Sequence, residues 1–133
     1  MARDLARALA AGRIAIGAGL LVAPRLSLGM WVGRSAADGA TAPVARALGV
    51  REVVLGAMAL HTLDRPQVAA RWLRALAACD AVDLAATVAA RRSLPSPGRV
   101  LVAGMASAGA AGQLWVAAQL DAAPPAPAPE AAV

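Results

Sequence analysis

The stretch Pro43-Val44-Ala45-Arg46-Ala47-Leu48-Gly49-Val50-Arg51-Glu52-Val53-Val54-Leu55-Gly56-Ala57-Met58-Ala59-Leu60-His61-Thr62-Leu63 decides the fold. It has no sustained alternation of apolar and polar residues, so it does not read as strand. Its length matches the roughly 20 residues that a helix rising about 1.5 Å per residue needs to cross a hydrocarbon core of about 30 Å. Three other stretches share that length and character. One covers 3–23 and stops at Pro24, one covers 68–90 and ends at Arg91-Arg92, and one covers 99–120. Pro24, Pro43, Pro66, Pro95 and Pro97 fall between these stretches or at their edges, where proline is tolerated.

These lengths predict an all-α fold: a four-transmembrane-helix bundle, up-and-down, occupying 1–120. The connections at 64–67 and 91–98 are short, so the helices they join should run antiparallel. The connection at 25–42 is longer. Its apolar part, Leu26 to Gly33, is too short to span and is expected to lie as a short interfacial segment between helices 1 and 2. Asp38-Gly39 marks a turn. The Pro/Ala-rich tail at 121–133 is expected to be disordered.

Composition agrees with a membrane setting. Hydrophobic residues make up 59% of the 133 residues and charged residues 16%, against soluble values nearer about 45–50% and 25%. Mean hydropathy is +0.60. The net charge of +5 comes from thirteen Arg and no Lys, scattered over every segment without an aromatic-plus-basic platform. That pattern argues for Arg beside lipid head groups and against nucleic acid. Arg3 and Arg7 before the run Ile14 to Ala23 resemble a signal peptide, but no small-x-small site follows cleanly, so the segment is expected to stay. Arg residues divide evenly between the two ends of the bundle, which leaves orientation uncoded. Trp31, Trp72 and Trp115 fall near segment ends, as interfacial anchors would.

The charges inside the spans carry the functional signal. Arg13 is midway along the first span. Arg46, Arg51 and Glu52 lie in the second, and Asp80 and Asp83 lie just past the middle of the third. A charge at a helix centre costs about 2.5–3.5 kcal/mol on insertion, and a Leu or Val returns only about 0.3–0.6 kcal/mol. The six are therefore expected to face inward as a ligand-binding or ion-pair cluster, three positive against three negative. Asp80, Asp83 and Thr87 share one helical face. Gly49 and Gly56 lie in nearly the same direction as Glu52, and Gly12, Gly17 and Gly19 flank Arg13, so close helix approach is expected there. Gly104, Ala108 and Gly112 form a small-residue ridge on the fourth span, with Gln113 near its centre. His61 reads as interfacial, and Cys79 beside Asp80 as core filler. Neither offers metal-ligand spacing, and no metal or cofactor is expected.

The run Arg46 to Gly56, with Arg13, Ala23-Pro24-Arg25 and Asp80-Ala81-Val82-Asp83, resembles a family of small bacterial four-helix integral membrane proteins of unknown function. The resemblance covers about 7–120. It implies fold and cell-membrane location, and no activity.

Function is expected to be a binding or accessory role for a multi-pass protein whose partners are the lipid bilayer, a second copy as homodimer, or a lipophilic small molecule. The alternatives are a membrane enzyme, with Glu52, Asp80 or Asp83 as acid or base and Arg13 or Arg51 stabilising an anion, and a proton-coupled transporter working as a dimer. A cavity open to lipid favours the enzyme, a two-sided polar path favours transport, and a closed, fully paired cluster favours a structural role.

Overall fold

The computed structural model describes residues 1–122, and the chain there is helical almost throughout. Helix α1 covers Ala2–Val22, α2 Pro24–Val32, α3 Thr41–Thr62, α4 Pro66–Ala89 and α5 Ser96–Asp121, with a 3-10 turn at Gly33–Ala37 after α2. Proline stands in the first turn of α2, α4 and α5, where its missing N–H costs no intrahelical bond. Helix α2 ends at Gly33, whose φ of 64° is a backbone conformation that side-chain-bearing residues rarely adopt. Most of the expected disordered tail lies outside the described residues.

The four long helices form two tight pairs, α1 with α3 and α4 with α5, each antiparallel. Gly17 on α1 faces Gly49 on α3, and a Cβ built on Gly17 would lie 2.6 Å from the Gly49 carbonyl oxygen. Gly56 faces the Ala10 carbonyl in the same way at 2.7 Å. Backbone therefore meets backbone along this seam, as the glycine spacing predicts. The ridge on α5 behaves differently. Gly104 and Ala108 are exposed, and a Cβ on Gly104 would meet nothing within 4 Å. The packed face of α5 is instead Ala106, Gln113, Val116, Ala117 and Leu120. Of the ridge only Gly112 packs, its Cβ position 3.2 Å from Leu9 on α1, while the larger Val100, Leu101, Met105, Leu114 and Trp115 of the same helix are exposed.

Two apolar layers close the bundle. Ala6, Ala10, Ala59, Leu73, Leu76, Val116 and Leu120 belong to one end, and Leu20, Leu28 and Ala45, backed by Trp31 and Leu48, to the other. Between them lie buried Arg13, Glu52, Asp80 and Gln113. The outer surface is rich in large apolar side chains, among them Val22, Leu26, Val44, Val54, Val82, Val100 and Leu114, each more than half exposed. Two helices, α1 and α5, are long and apolar enough to cross a membrane. Helices α3 and α4 are as long, but Arg46, Arg51 and Glu52 on one and Arg71, Arg74, Asp80 and Asp83 on the other lower their hydropathy.

Candidate functional site: a charged floor beneath an apolar cavity

Arg13 is the hub. Helix α1 turns it inward between Ala10 and Gly17, both buried on the same face, and the close α1–α3 seam brings it to Glu52. Its Nη1 donates to Glu52 Oε2 at 2.5 Å, and its Nη2 donates to Asp80 Oδ1 on α4. All three side chains are buried. One guanidinium thus ties α1 to α3 and α4 by charge-assisted bonds, the strong class of hydrogen bond. The fourth helix joins through Gln113, whose Nε2 donates to Asp80 Oδ2 at 2.9 Å. Gly109, one turn away on α5, makes room for that carboxylate: a Cβ there would lie 2.5 Å from Asp80 Oδ2.

A looser pair lies beside this hub. Arg51 Nη1 and Nη2 face the two Asp83 carboxylate oxygens at 3.4 Å each, with both side chains about one-third exposed. Arg51 Nε stands 3.8 Å from Glu52 Oε1. Thr87, on the face shared with Asp80 and Asp83, is fully buried and donates to the Asp83 backbone carbonyl at 2.8 Å.

Five of the six charges expected to meet therefore do so. Arg46 does not. It is exposed and lines a shallow notch with Ala23, Pro24, Arg25 and Leu26. It stands six residues before Glu52, about 9 Å along the axis of α3 and, at about 100° per residue, about 120° round it. His61 is also exposed, 3.4 Å from Arg65. Among the described residues no group of three or more His, Cys, Asp and Glu side chains could hold a metal ion.

Above the hub is a cavity of about 780 Å³, within the size range of small-molecule sites. Leu9, Ile16, Leu20, Leu101, Met105 and Met30 supply much of its wall, and Arg13, Glu52, Asp80, Asp83 and Gln113 its polar part. Its mouth lies between α1 and α5, where Gly12, Ile16, Leu101, Met105 and Ala108 are exposed. Trp31 on α2 also lines it. Four buried polar atoms here have no hydrogen-bond partner among the described residues: Arg13 Nε, Trp31 Nε1, Glu52 Oε1 and Gln113 Oε1. Orphaned polar atoms of this kind cost about 1–3 kcal/mol each unless something else satisfies them.

Gln113 and Trp31 are the site residues that sequence reasoning leaves out of the cluster. A lone amide at the middle of an apolar helix is the available signal for Gln113. Trp31 reads as an anchor from its position near a helix end, and nothing in the sequence places it on a cavity wall.

No family model matches the chain, and no curated protein or solved structure matches it either.

Proposed function

We propose that the chain is a multi-pass protein of the cell membrane, with α1, α3, α4 and α5 all crossing the bilayer, and that its cavity binds a lipophilic small molecule. The arrangement of polarity supports the membrane part. Large apolar side chains face outward while Arg13, Glu52, Asp80 and Gln113 are buried. An exterior of that kind suits hydrocarbon, where charges are tolerated when they face the bundle interior and pair. The charges that lower the hydropathy of α3 and α4 include those that pair inside the bundle. The resemblance to small four-helix membrane proteins points the same way.

One observation carries the binding part: orphaned polar atoms of Trp31, Glu52 and Gln113 belong to residues lining an apolar cavity whose mouth lies between two outward-facing helices. A fully paired structural cluster would leave no such atoms. The test is photolabelling of the protein in lipid nanodiscs with a diazirine-bearing decanol. Labelled residues should concentrate on the facing sides of α1 and α5. Gly12→Leu, at an exposed position of the cavity lining where an added Cβ meets nothing within 4 Å, should suppress that labelling. Labelling spread evenly over the outer faces and unaffected by Gly12→Leu would overturn the reading.

An enzyme acting on the same molecule is a second reading, favoured by the lipid-facing mouth and by Glu52, a carboxylate of the cavity lining whose Oε1 accepts no hydrogen bond. Turnover of the bound molecule, lost in Glu52→Gln with binding retained, would separate it from binding alone.

A further inference from the structure

The charge of the cavity floor says which molecule fits. With Arg46 outside the cluster, two guanidinium groups, Arg13 and Arg51, face three carboxylates, Glu52, Asp80 and Asp83. Two positive charges against three negative leave one negative in excess. Gln113, which α5 brings to the same floor, is neutral. An uncompensated charge inside a bundle surrounded by hydrocarbon is costly, so a positive charge is favoured there.

The excess has an address. Both terminal nitrogens of Arg13 are engaged, one by Glu52 Oε2 and one by Asp80 Oδ1. Both terminal nitrogens of Arg51 face Asp83. Glu52 Oε1 accepts no hydrogen bond and has only Arg51 Nε, 3.8 Å away, and Gln113 Oε1 accepts none either; both oxygens are covered by their neighbours. Glu52 and Gln113 line the cavity from α3 and α5, and each holds an acceptor without a donor. Trp31 lines the cavity farther along, against the layer of Leu20, Leu28 and Ala45, where it meets the hydrocarbon part of an occupant. Apart from Ser27 and the charged floor, the wall is hydrocarbon.

We infer that the cavity takes an amphiphilic ammonium ion: an alkyl or aryl amine whose protonated nitrogen donates to the Glu52 carboxylate once that side chain turns toward the cavity, with the Gln113 amide oxygen as a second acceptor, and whose hydrocarbon part fills the space along Ile16, Leu101 and Met105. A neutral alcohol satisfies an acceptor but leaves the charge. A fatty-acid anion adds to the excess. This inference rests on the ligand-binding reading above.

The test uses the full chain in nanodiscs of zwitterionic lipid, with Trp72→Phe and Trp115→Phe so that emission reports on Trp31 alone. Decylamine, decanol and decanoate are titrated at neutral pH, and Gly12→Leu controls for partitioning into lipid. Decylammonium should bind at least about tenfold more tightly than decanol, and decanoate more weakly than both. Glu52→Gln should bring decylammonium down to the level of decanol. Gln113→Leu should narrow the preference about threefold or more, and the ranking in the protein with its cluster intact needs neither variant. Decanol binding as tightly as decylammonium would overturn the ammonium inference and leave the cavity a lipophilic site. No change in Trp31 emission with any probe, or changes that persist in Gly12→Leu, would overturn both.

Discussion

Replacing Arg13 by Gln should be far more damaging than replacing any carboxylate it holds. Arg13 binds Glu52 and Asp80 at once, and all three are buried. Its loss takes the floor from one excess negative charge to two, leaves Asp80 without its cation and leaves Glu52 only Arg51 Nε, 3.8 Å away. Removing one partner of a buried pair costs about 3–5 kcal/mol. At about 1.4 kcal/mol per factor of ten, the folded-to-unfolded ratio should fall by roughly two to three and a half powers of ten. Glu52→Gln moves the other way, from one excess charge to none, and Arg13 keeps Asp80. Its cost should stay below about 1 kcal/mol, the size of a net hydrogen-bond change. Adding Asp80→Asn to Arg13→Gln should recover part of the loss, because it restores the original excess. The assay is the folded fraction in detergent against increasing sodium dodecyl sulfate, followed by size-exclusion elution and tryptophan emission. Equal losses for Arg13→Gln and Glu52→Gln would refute the charge count.

Other substitutions test the geometry around this hub. Gly49→Ala would put a Cβ 2.8 Å from the Gly17 carbonyl oxygen and should cost about 1–3 kcal/mol in the same assay, whereas Gly104→Ala meets open space and should gain about 0.5–1 kcal/mol from helix propensity. Asp83→Asn breaks a partly exposed contact at 3.4 Å and should cost no more than about 1 kcal/mol, with no cation left deeply buried. Arg46→Gln should be neutral within about 0.5 kcal/mol and should not change probe binding, because Arg46 is exposed and outside the floor.

The helices were legible because each is a proline-bounded apolar run. The expected 43–63 and 68–90 stand as Thr41–Thr62 and Pro66–Ala89. The hub was legible for a related reason: Arg13, Glu52 and Asp80 stand out as charges inside apolar runs. Depth along a helix and direction around it are separate quantities, and Arg46, about 9 Å along α3 from Glu52 and on another face, meets neither. Gln113 carries no charge and drew less notice, though it is the bond that α5 makes to Asp80. The cavity was not legible at all. It exists because Gly17, Gly49 and Gly56 draw α1 against α3 while α1 and α5 stay apart at Gly12 and Met105. Separation between helices depends on which glycines meet backbone, and the sequence alone does not pair them.

The most direct measurement of the account asks whether α4, the helix with four charged residues, crosses the bilayer. In a Cys79→Ala background, single cysteines replace Asp64, before α4, and Ser93, after it, and intact cells are treated with a membrane-impermeant thiol reagent. The account predicts labelling at one position in intact cells and at the other only after permeabilisation. Both positions labelled from the same side would place α4 outside the bilayer and contradict it.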